Sequence, residues 1–390
     1  MCKKKSFWLL IMGGIFVLLF TLQVSSIFAQ KEEGKEPYVI GAVFAITGPN
    51  SMLGDPEKKT VDMLVEEING KGGINGHPVK VIVYDTEGDA TNCKNKVKRL
   101  IEVDKVDVII GPTLSGTSLA VKDDINNAGM PFISCAASIK ITEPVTKWVF
   151  KTAQSDVLAV NKIIEFAKAK KIDKVAIITV SNAFGESGKE MLENLLPKSK
   201  IEIVTKEAYG PNDTDMTAQL TKINGTTAQA VICWGTNPGP AIVAKNMKQL
   251  GMKQLLIQSH GVASKKFIEL AGDAANGVVL PAGKLIVAAQ LPDSDPQKAT
   301  LVDYTKKYES KYNSSISTFG GHAWDAFMIA VKAMEKAGKD KEKIRTEIEN
   351  TKNFVGITGI FNMSPIEHNG LTIGSFVMVE IQNGNWTLAK

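Results

Sequence analysis

The sequence is poor in the residues that hold metals and covalent cross-links. Its 390 residues include only four cysteines and four histidines, and no two cysteines form a C-x-x-C pair. A disulfide scaffold needs a higher density of cysteines, and a zinc site needs closely spaced Cys and His ligands. We therefore expect no structural metal and no cofactor. Cys135 and Cys233 end apolar runs, so burial is the favoured role for both and redox chemistry the less favoured one.

Excess charge of one sign is also missing once the first residues are set apart. The formal net charge is +5, but Lys3, Lys4 and Lys5 belong to an N-terminal leader, so the chain from Gln30 onward is nearly neutral. Nucleic-acid-binding domains concentrate basic residues on one face, and no segment here does so. We exclude nucleic acid as a partner. An apolar content of 44% with 22% charged residues is that of an ordinary globular protein of about two domains.

Long apolar runs are confined to one place, residues 7–20. Lysines precede this run, and small and polar residues ending at Ala29 follow it, which is the order of a secretory signal peptide. The run is shorter than the roughly 20 residues that span a bilayer as a helix. We predict a signal peptide at 1–29, cleavage after Ala29 and a soluble periplasmic product. An uncleaved anchor that reaches Val24 is the alternative.

The common catalytic signatures are absent as well. No G-x-G-x-x-G follows a predicted strand, no P-loop motif occurs, and Ser115 lacks the G-x-S-x-G frame of a nucleophile elbow. The four histidines are widely separated in the chain. A Ser115–His260 hydrolase dyad formed across a cleft is an alternative, and the favoured prediction is a protein that is not an enzyme.

What the sequence does contain is a regular alternation of short β-branched runs and longer helical patterns. The predicted strands are residues 38–45, 79–84, 107–110, 131–135, 175–180, 201–204, 229–233, 255–257 and 277–281. Such alternation predicts an α/β fold with two doubly wound lobes and a ligand site in the cleft between them. The predicted lobes are 37–152 plus 280–352 and 153–279 plus 353–390.

Small hydroxyl residues follow several of these strands. Thr47 comes after the first strand, Thr113 and Ser115 after the third, and Ser138 after the fourth. Backbone N–H groups at a helix start, together with Ser and Thr hydroxyls, form a neutral cradle for a carboxylate. The alternative is that these hydroxyls only cap helices.

Several segments in this order resemble one known family. They are residues 41–49, 53–55, 66–76, 84–86, 110–115 and 131–134. Their sequences are similar to those of the leucine/isoleucine/valine-binding type of periplasmic solute-binding protein, which serves ABC importers of branched-chain amino acids. The resemblance covers most of residues 37–380. It implies the type I periplasmic binding-protein fold, in which two Rossmann-like lobes are joined by a hinge of three crossovers and close on the ligand.

The resemblance also implies a set of ligand-binding residues. Ser115 and Ser138 match positions whose hydroxyls hold the ligand carboxylate, and Phe184 matches an aromatic residue that covers the ligand. The complete expected set is Thr47, Leu53, Thr113, Leu114, Ser115, Ala136, Ala137, Ser138, Phe184, Trp234, Asn237 and His260. Cys93 matches a cysteine that some relatives bridge to the loop where this chain has Leu114, so no disulfide is expected there.

One position departs from the family pattern. Where amino-acid binders place a carboxylate against the ligand ammonium, this chain has His260, and a buried ammonium without an anionic partner is unfavourable by several kcal/mol. An imidazole instead donates to a carbonyl, a hydroxyl or a second carboxylate. We therefore favour a non-amino carboxylate with an aromatic or apolar body, with Trp324 as a further candidate near the cleft. A histidine without ligand contact, and a branched-chain amino-acid ligand, remain alternatives.

The implied partner is the membrane permease of an ABC importer, and we expect the protein to act as a monomer. A role as a ligand sensor that docks onto a membrane receptor is the alternative from another class.

Overall fold

The computed structural model describes residues 35–389, and the predicted signal peptide at 1–29 lies outside this range. From Pro37 onward the chain forms one compact unit. Within the described residues, no helix combines the length and apolar character needed to cross a membrane.

The first sheet contains five parallel strands in the order β2-β1-β3-β4-β5. The strands are β1 (Tyr38–Phe44), β2 (Val79–Asp85), β3 (Val108–Ile110), β4 (Phe132–Ser134) and β5 (Val149–Lys151). Its crossover helices are α1 (Ser51–Gly70), α2 (Ala90–Glu102) and α3 (Ser115–Ala128). Because all the strands are parallel, their carboxyl ends open at one edge, where Thr113, Leu114 and Ser115 follow β3.

The second sheet contains seven strands in the order β14-β13-β10-β9-β8-β6-β7. Its strands are β6 (Lys174–Val180), β7 (Glu202–Tyr209), β8 (Ala230–Trp234), β9 (Leu255–Gln258), β10 (Val279–Gly283), β13 (Phe376–Gln382) and β14 (Asn385–Leu388). Strands β6 to β10 are parallel, whereas β13 and β14 pair antiparallel at one side. The accompanying helices are α4 (Asp156–Ala169), α5 (Ala183–Lys198), α6 (Thr217–Asn224), α7 (Gly239–Gln249) and α8 (Lys265–Ala271).

The remaining elements return to the first lobe. They are α9 (Lys298–Tyr312), α10 (Thr318–Ala337), α11 (Lys341–Glu349) and the short hairpin β11 (Phe354–Val355) and β12 (Ile360–Phe361). Phe327 and Ala330 of α10 pack with Ile40 and Val61 in the core of the first sheet. The predicted α/β fold with two Rossmann-like lobes is confirmed, and each predicted strand has a counterpart in the two sheets.

The chain passes between the lobes three times, after β5, after β10 and before β13. Hydrogen bonds tie the first and third crossovers together. The Gln154 side-chain amide donates to Thr358 O at 3.2 Å and to Ser375 O at 3.4 Å. The Asn369 amide donates to Lys151 O at 3.2 Å and to Ala153 O at 3.0 Å. These two crossovers therefore form a hydrogen-bonded part of the hinge.

The predicted lobe boundaries stay a proposal, and the packing favours two changes to them. Val279–Gly283 pairs within the second sheet, although 280 was the predicted start of a first-lobe segment. Phe354 and Phe361 pack in the core of the first lobe, although 353 was the predicted start of a second-lobe segment. We therefore propose that the chain returns to the first lobe after Gly283 and leaves it before Phe376.

The helix α1 packs closely against the chain at the end of β1, on the first-lobe side of the cleft. A Cβ on Gly54, in the first turns of α1, would lie 2.1 Å from the carbonyl oxygen of Ala45. Gly70, at the other end of the same helix, has open space around the same position.

We predict that Gly54→Ala destabilises the protein by about 1–3 kcal/mol, because backbone atoms cannot move aside for the added methyl group. Gly70→Ala is the matched control, and it should leave stability unchanged or slightly raised. Urea unfolding of both variants measures the difference. Equal midpoints for the two variants would contradict the packing described.

Candidate functional site

A cavity of about 360 Å³ lies between the carboxyl ends of the two sheets. Loops that follow β1 and β3 line one wall, and loops that follow β6, β7, β8 and β9 line the other. Its size suits a small organic ligand. The arrangement is that of a two-lobed ligand-binding protein.

Most residues of the expected set line this cavity. They are Leu53, Thr113, Leu114, Ser115, Ala136, Ala137, Phe184, Asn237 and His260. The sequence order places them far apart, and the two parallel sheets bring them together at facing edges. Their contact with a ligand stays a prediction.

Three expected residues lie elsewhere. The Thr47 hydroxyl donates to Asp85 Oδ2 at 2.5 Å and so holds the loop after β1. The Ser138 hydroxyl is buried against Ser187 Oγ at 2.8 Å, where it joins the two lobes. Trp234 is fully buried in the second lobe, and its ring packs behind Phe184 with the ring centroids 5.8 Å apart. None of the three lines the cavity in the described structure, and contact with a ligand stays a prediction for each of them.

Trp324 also lies away from the cavity. Positions 322 and 324 of α10 are two residues apart and therefore point to different sides of the helix. His322 and Phe319, three residues apart on one face, line the cavity, whereas Trp324 packs near Phe354, with the ring centroids 6.1 Å apart. Trp324 therefore lies on a different face of α10 from the residues that line the cavity.

The helix α3 begins at the first-lobe wall without a side-chain cap. Its N-cap residue is Leu114, and no side chain accepts from the first turn. Leucine is a poor N-cap, and the first N–H groups of a helix have no partner within it. The opposing helix α5 differs, because Asn182 Oδ1 accepts from Phe184 N at 3.1 Å and from Gly185 N at 3.0 Å. The cavity therefore meets open helix donors on the first-lobe side.

The hydroxyls beside this helix are already positioned by the protein. Ser115 Oγ accepts from Ser138 N at 3.2 Å. Thr113 Oγ1 accepts from Ala45 N at 2.9 Å and donates to the buried carboxyl of Glu57. Burial raises the pKa of Glu57 well above its usual value.

The second-lobe wall is built around His260, in a short 3-10 turn after β9. Its ring meets Phe184, Trp234 and Phe376 at near-perpendicular angles, with centroids 5.5, 5.6 and 5.5 Å away. Burial, with smaller effects from His322 and Lys151, lowers the pKa of His260 to about 3, so the ring is neutral near pH 7. Neither ring nitrogen has a hydrogen-bond partner among the described residues.

The hydrogen bond required by a Ser115–His260 dyad is therefore not formed. Ser115 Oγ is bonded to the backbone of Ser138, and both imidazole nitrogens of His260 are without a partner in the described chain. A histidine whose pKa is this low is also a weak general base near neutral pH.

No charged side chain belongs to the cavity wall within the described range, since both lining histidines are neutral. Two buried ionisable side chains lie behind the wall and do not line the cavity. Lys151 Nζ donates to Ala137 O at 2.6 Å, and burial lowers its pKa. Asp156 accepts from the Ser187 hydroxyl, and burial raises its pKa.

Several other residues that line the cavity were not in the expected set. Cys135, Tyr209 and His322 all line the cavity. Tyr209 ends β7, whose predicted extent was too short to include it. His322 Nδ1 lies 3.0 Å from Thr358 Oγ1, at the hinge, and burial lowers its pKa to about 3. Cys93, Cys135 and Cys233 are all free and buried, as expected for the last two.

Comparison with known proteins supports the two-lobed ligand-binding class that the fold indicates. The sequence profile of the periplasmic binding protein family matches residues 37–385. The chain therefore belongs to this family, and within it to the type I proteins of the leucine/isoleucine/valine-binding kind.

Named relatives are distant but similar over most of their length. The chain is 24% identical to the leucine-, isoleucine-, valine-, threonine- and alanine-binding protein of Pseudomonas aeruginosa, over 84% of this chain and 86% of that protein. It is 25% identical to the Leu/Ile/Val-binding protein BraC3 of Rhizobium johnstonii, over 90% of this chain and 93% of that protein.

Solved structures share the fold. An extracellular ligand-binding receptor from Rhodopseudomonas palustris HaA2 matches with a TM-score of 0.85 and 28% identity, over 91% of this chain and all of that one. The substrate-binding protein LivJ of Streptococcus pneumoniae, solved with isoleucine, matches with a TM-score of 0.81 and 24% identity, over 91% of this chain and 99% of that one.

Because His260 is buried in its neutral form, the stability of the folded protein should depend on pH. Its folded pKa of about 3 lies below the value of about 6.5 for an unfolded histidine, so its contribution to stability is present above pH 6.5 and is lost as the pH falls toward 3. Burial raises the pKa of Asp325 to about 7, which has the opposite effect, so only a comparison of variants isolates His260.

We predict that the melting temperature of the wild type falls more steeply than that of His260→Phe between pH 7 and pH 4.5. The phenyl ring keeps the aromatic contacts and has no group to protonate. Differential scanning fluorimetry across this range provides the measurement. Parallel curves would show that His260 is not held neutral by the fold.

Proposed function

We propose that this protein is an extracytoplasmic receptor of an ABC importer that captures a small carboxylate without an amino group by closing its two lobes. The single observation that carries the proposal is the combination of an uncapped helix N-terminus and a cavity wall with no charged side chain in the described chain. The protein would act as a monomer and deliver its ligand to a membrane permease.

The carboxylate end of the ligand fits the first-lobe wall. The first-turn N–H groups of α3 provide donors, and the partial positive charge of a helix N-terminus favours an anion there. The hydroxyl of Ser115 and the backbone around Ala136 and Ala137 flank the same position. This wall binds an anion without an arginine.

The opposite wall does not suit an ammonium group. Neutral His260 occupies the place where the family pattern has a carboxylate, and the buried carboxyl of Glu57 is already bonded to Thr113. An ammonium transferred to such a wall without an anionic partner costs several kcal/mol, on the order of a hundredfold or more in affinity.

Apolar side chains line the space between the two walls. Leu53, Leu114, Phe184 and Phe319 lie there. Phe184 is half-buried at the start of α5, where ring stacking on a ligand would complete its burial. An aromatic or branched apolar body is therefore favoured.

Branched-chain amino acids are the second candidate. The two named relatives are amino-acid-binding proteins, and the fold is shared with LivJ solved with isoleucine. The amino group distinguishes the two candidates.

Matched ligand pairs test this distinction. Leucine and 4-methylpentanoate share a carbon skeleton and differ by the amino group, as do phenylalanine and 3-phenylpropanoate. We predict that each acid without an amino group binds at least tenfold tighter than its amino-acid counterpart in isothermal titration calorimetry. Tighter binding of leucine would contradict the proposal and favour the amino-acid candidate.

A change at the N-cap tests the carboxylate position. Leu114→Asp should cap α3, stabilise the free protein by about 1 kcal/mol and lower carboxylate affinity, because its own carboxylate would occupy the helix donors. Leu114→Asn is the matched control, since it caps without charge. Equal affinities of the Asp and Asn variants for the acid would show that the ligand carboxylate lies elsewhere.

A further inference from the structure

A lysine lies buried behind the first-lobe wall of the cavity. Lys151 ends β5 and is fully buried, which is rare for a lysine. Burial lowers the pKa of its amine to about 8, against the opposing effect of Asp156, so the amine is mainly charged near pH 7. The carboxylate of Asp156 accepts from the Ser187 hydroxyl and from Ile139 N at 3.4 Å. Lys151 is therefore a buried cation whose amine is bonded to the backbone.

The hydrogen bond of this amine leads toward the cavity. Lys151 Nζ donates to Ala137 O at 2.6 Å. The same peptide group carries the N–H of Ser138, which donates to Ser115 Oγ at 3.2 Å. Ser115 begins α3, and both Ser115 and Ala137 line the cavity. Two hydrogen bonds and one peptide group therefore connect the buried cation to a hydroxyl on the cavity wall.

This peptide group carries the effect of the charge in one direction. Its C=O and N–H point to opposite sides, because the bond between Ala137 and Ser138 is trans. Hydrogen bonds in series polarise one another, so a cation at the carbonyl oxygen makes the N–H a stronger donor. In the described chain the Ser115 hydroxyl accepts this bond and donates none. Its own proton is available for an anion in the cavity, and the polarisation strengthens that donation.

The charge of Lys151 also acts on two side chains that line the cavity. Burial is the main cause of the low pKa of His322, and the charge of Lys151 lowers it further. The same charge contributes to the low pKa of His260, after burial and the effect of His322. A charge that disfavours a cation at both histidines favours an anion in the space that they line.

A carboxylate in this cavity needs such a positive charge nearby. An anion removed from water is unfavourable unless it is hydrogen-bonded and its charge is compensated. The described cavity wall has no charged side chain, and a helix N-terminus supplies only about half an elementary charge. Lys151 is connected to the first residue of that helix, Ser115, so both positive charges act on the same side of the cavity.

We propose that Lys151 is the buried counter-ion of the ligand carboxylate, and that it acts without touching the ligand, through the Ala137–Ser138 peptide group and the Ser115 hydroxyl. This inference rests on the proposed function, because it takes the ligand anion to lie at the start of α3. It makes Lys151 a positioning residue that selects a carboxylate over an uncharged group of the same shape.

The first experiment removes the charge and keeps a hydrogen-bond donor. Lys151→Gln retains an amide N–H for Ala137 O. The probes are three pairs of a carboxylate and its amide: 3-phenylpropanoate and 3-phenylpropanamide, 4-methylpentanoate and 4-methylpentanamide, and leucine and leucinamide. In isothermal titration calorimetry we expect Lys151→Gln to weaken the carboxylate about tenfold and the amide less than about twofold. Equal weakening of both members would show a structural role and overturn the inference.

Lys140→Gln is the matched control. It removes the same charge from a nearby lysine that is half-exposed and paired with Glu190, so solvent screens its effect on the cavity. The preference for the carboxylate should stay within about twofold of the wild-type value. If Lys140→Gln and Lys151→Gln reduce the preference equally, the effect belongs to net charge and the inference is overturned.

A second variant covers the case in which Lys151→Gln does not fold. Lys151→Met keeps a long apolar stem and removes the charge, and the same loss of carboxylate preference is expected. An unchanged preference would overturn the inference. The double variant Ser115→Ala/Lys151→Gln tests the route, because the loss from Lys151→Gln should be smaller once the hydroxyl is absent. Losses that simply multiply would overturn the route through Ser115.

The outcomes also separate this inference from the proposed function. If the acids without an amino group bind but the Lys151 variants keep the carboxylate preference, the inference is overturned while the carboxylate receptor stands. If leucine binds and those acids do not, the proposed function fails, and leucine with leucinamide tests Lys151 by itself. If none of the six probes binds the wild type, both are overturned.

Discussion

The account depends on the open N-terminus of α3. Leu114 stands at the N-cap where a side-chain acceptor would normally serve, so the first-turn donors remain available at the cavity wall. The helix also packs within the core of the first lobe through Val121 and Ile125, which fixes the direction of those donors. The proposed anion-binding site thus depends on one missing cap at the start of this helix.

The lobes place a different surface opposite this site. The second-lobe wall is aromatic and uncharged, and His260 is neutral because burial among Phe184, Trp234 and Phe376 disfavours its charged form. Three crossovers join the two lobes, and a hydrogen bond between the hydroxyls of Ser138 and Ser187 also connects them. Closure of the lobes on the ligand would therefore bring the open N–H donors of α3 toward the uncharged aromatic wall of the second lobe.

Much of the fold was predictable because its strands are short β-branched runs bounded by helical patterns, as at Val175 to Val180. The ends of parallel strands then indicated the site, and most of the expected residues lie there. The expected residues that do not line the cavity are ones whose position along the chain does not fix the direction of the side chain. Ser138 turned toward the other lobe, Trp234 toward the core, and Trp324 toward the opposite face of α10 from His322. Tyr209 was missed because the extra length of β7 is half-exposed and carries no strong apolar pattern.

The most direct measurement is a crystal structure of the protein with the tightest-binding acid. The account predicts carboxylate oxygens within about 2.7–3.2 Å of the first N–H groups of α3, and the apolar or aromatic body of the ligand against Phe184. A carboxylate that instead binds at His260, or an ammonium group that lies on the second-lobe wall, would contradict it.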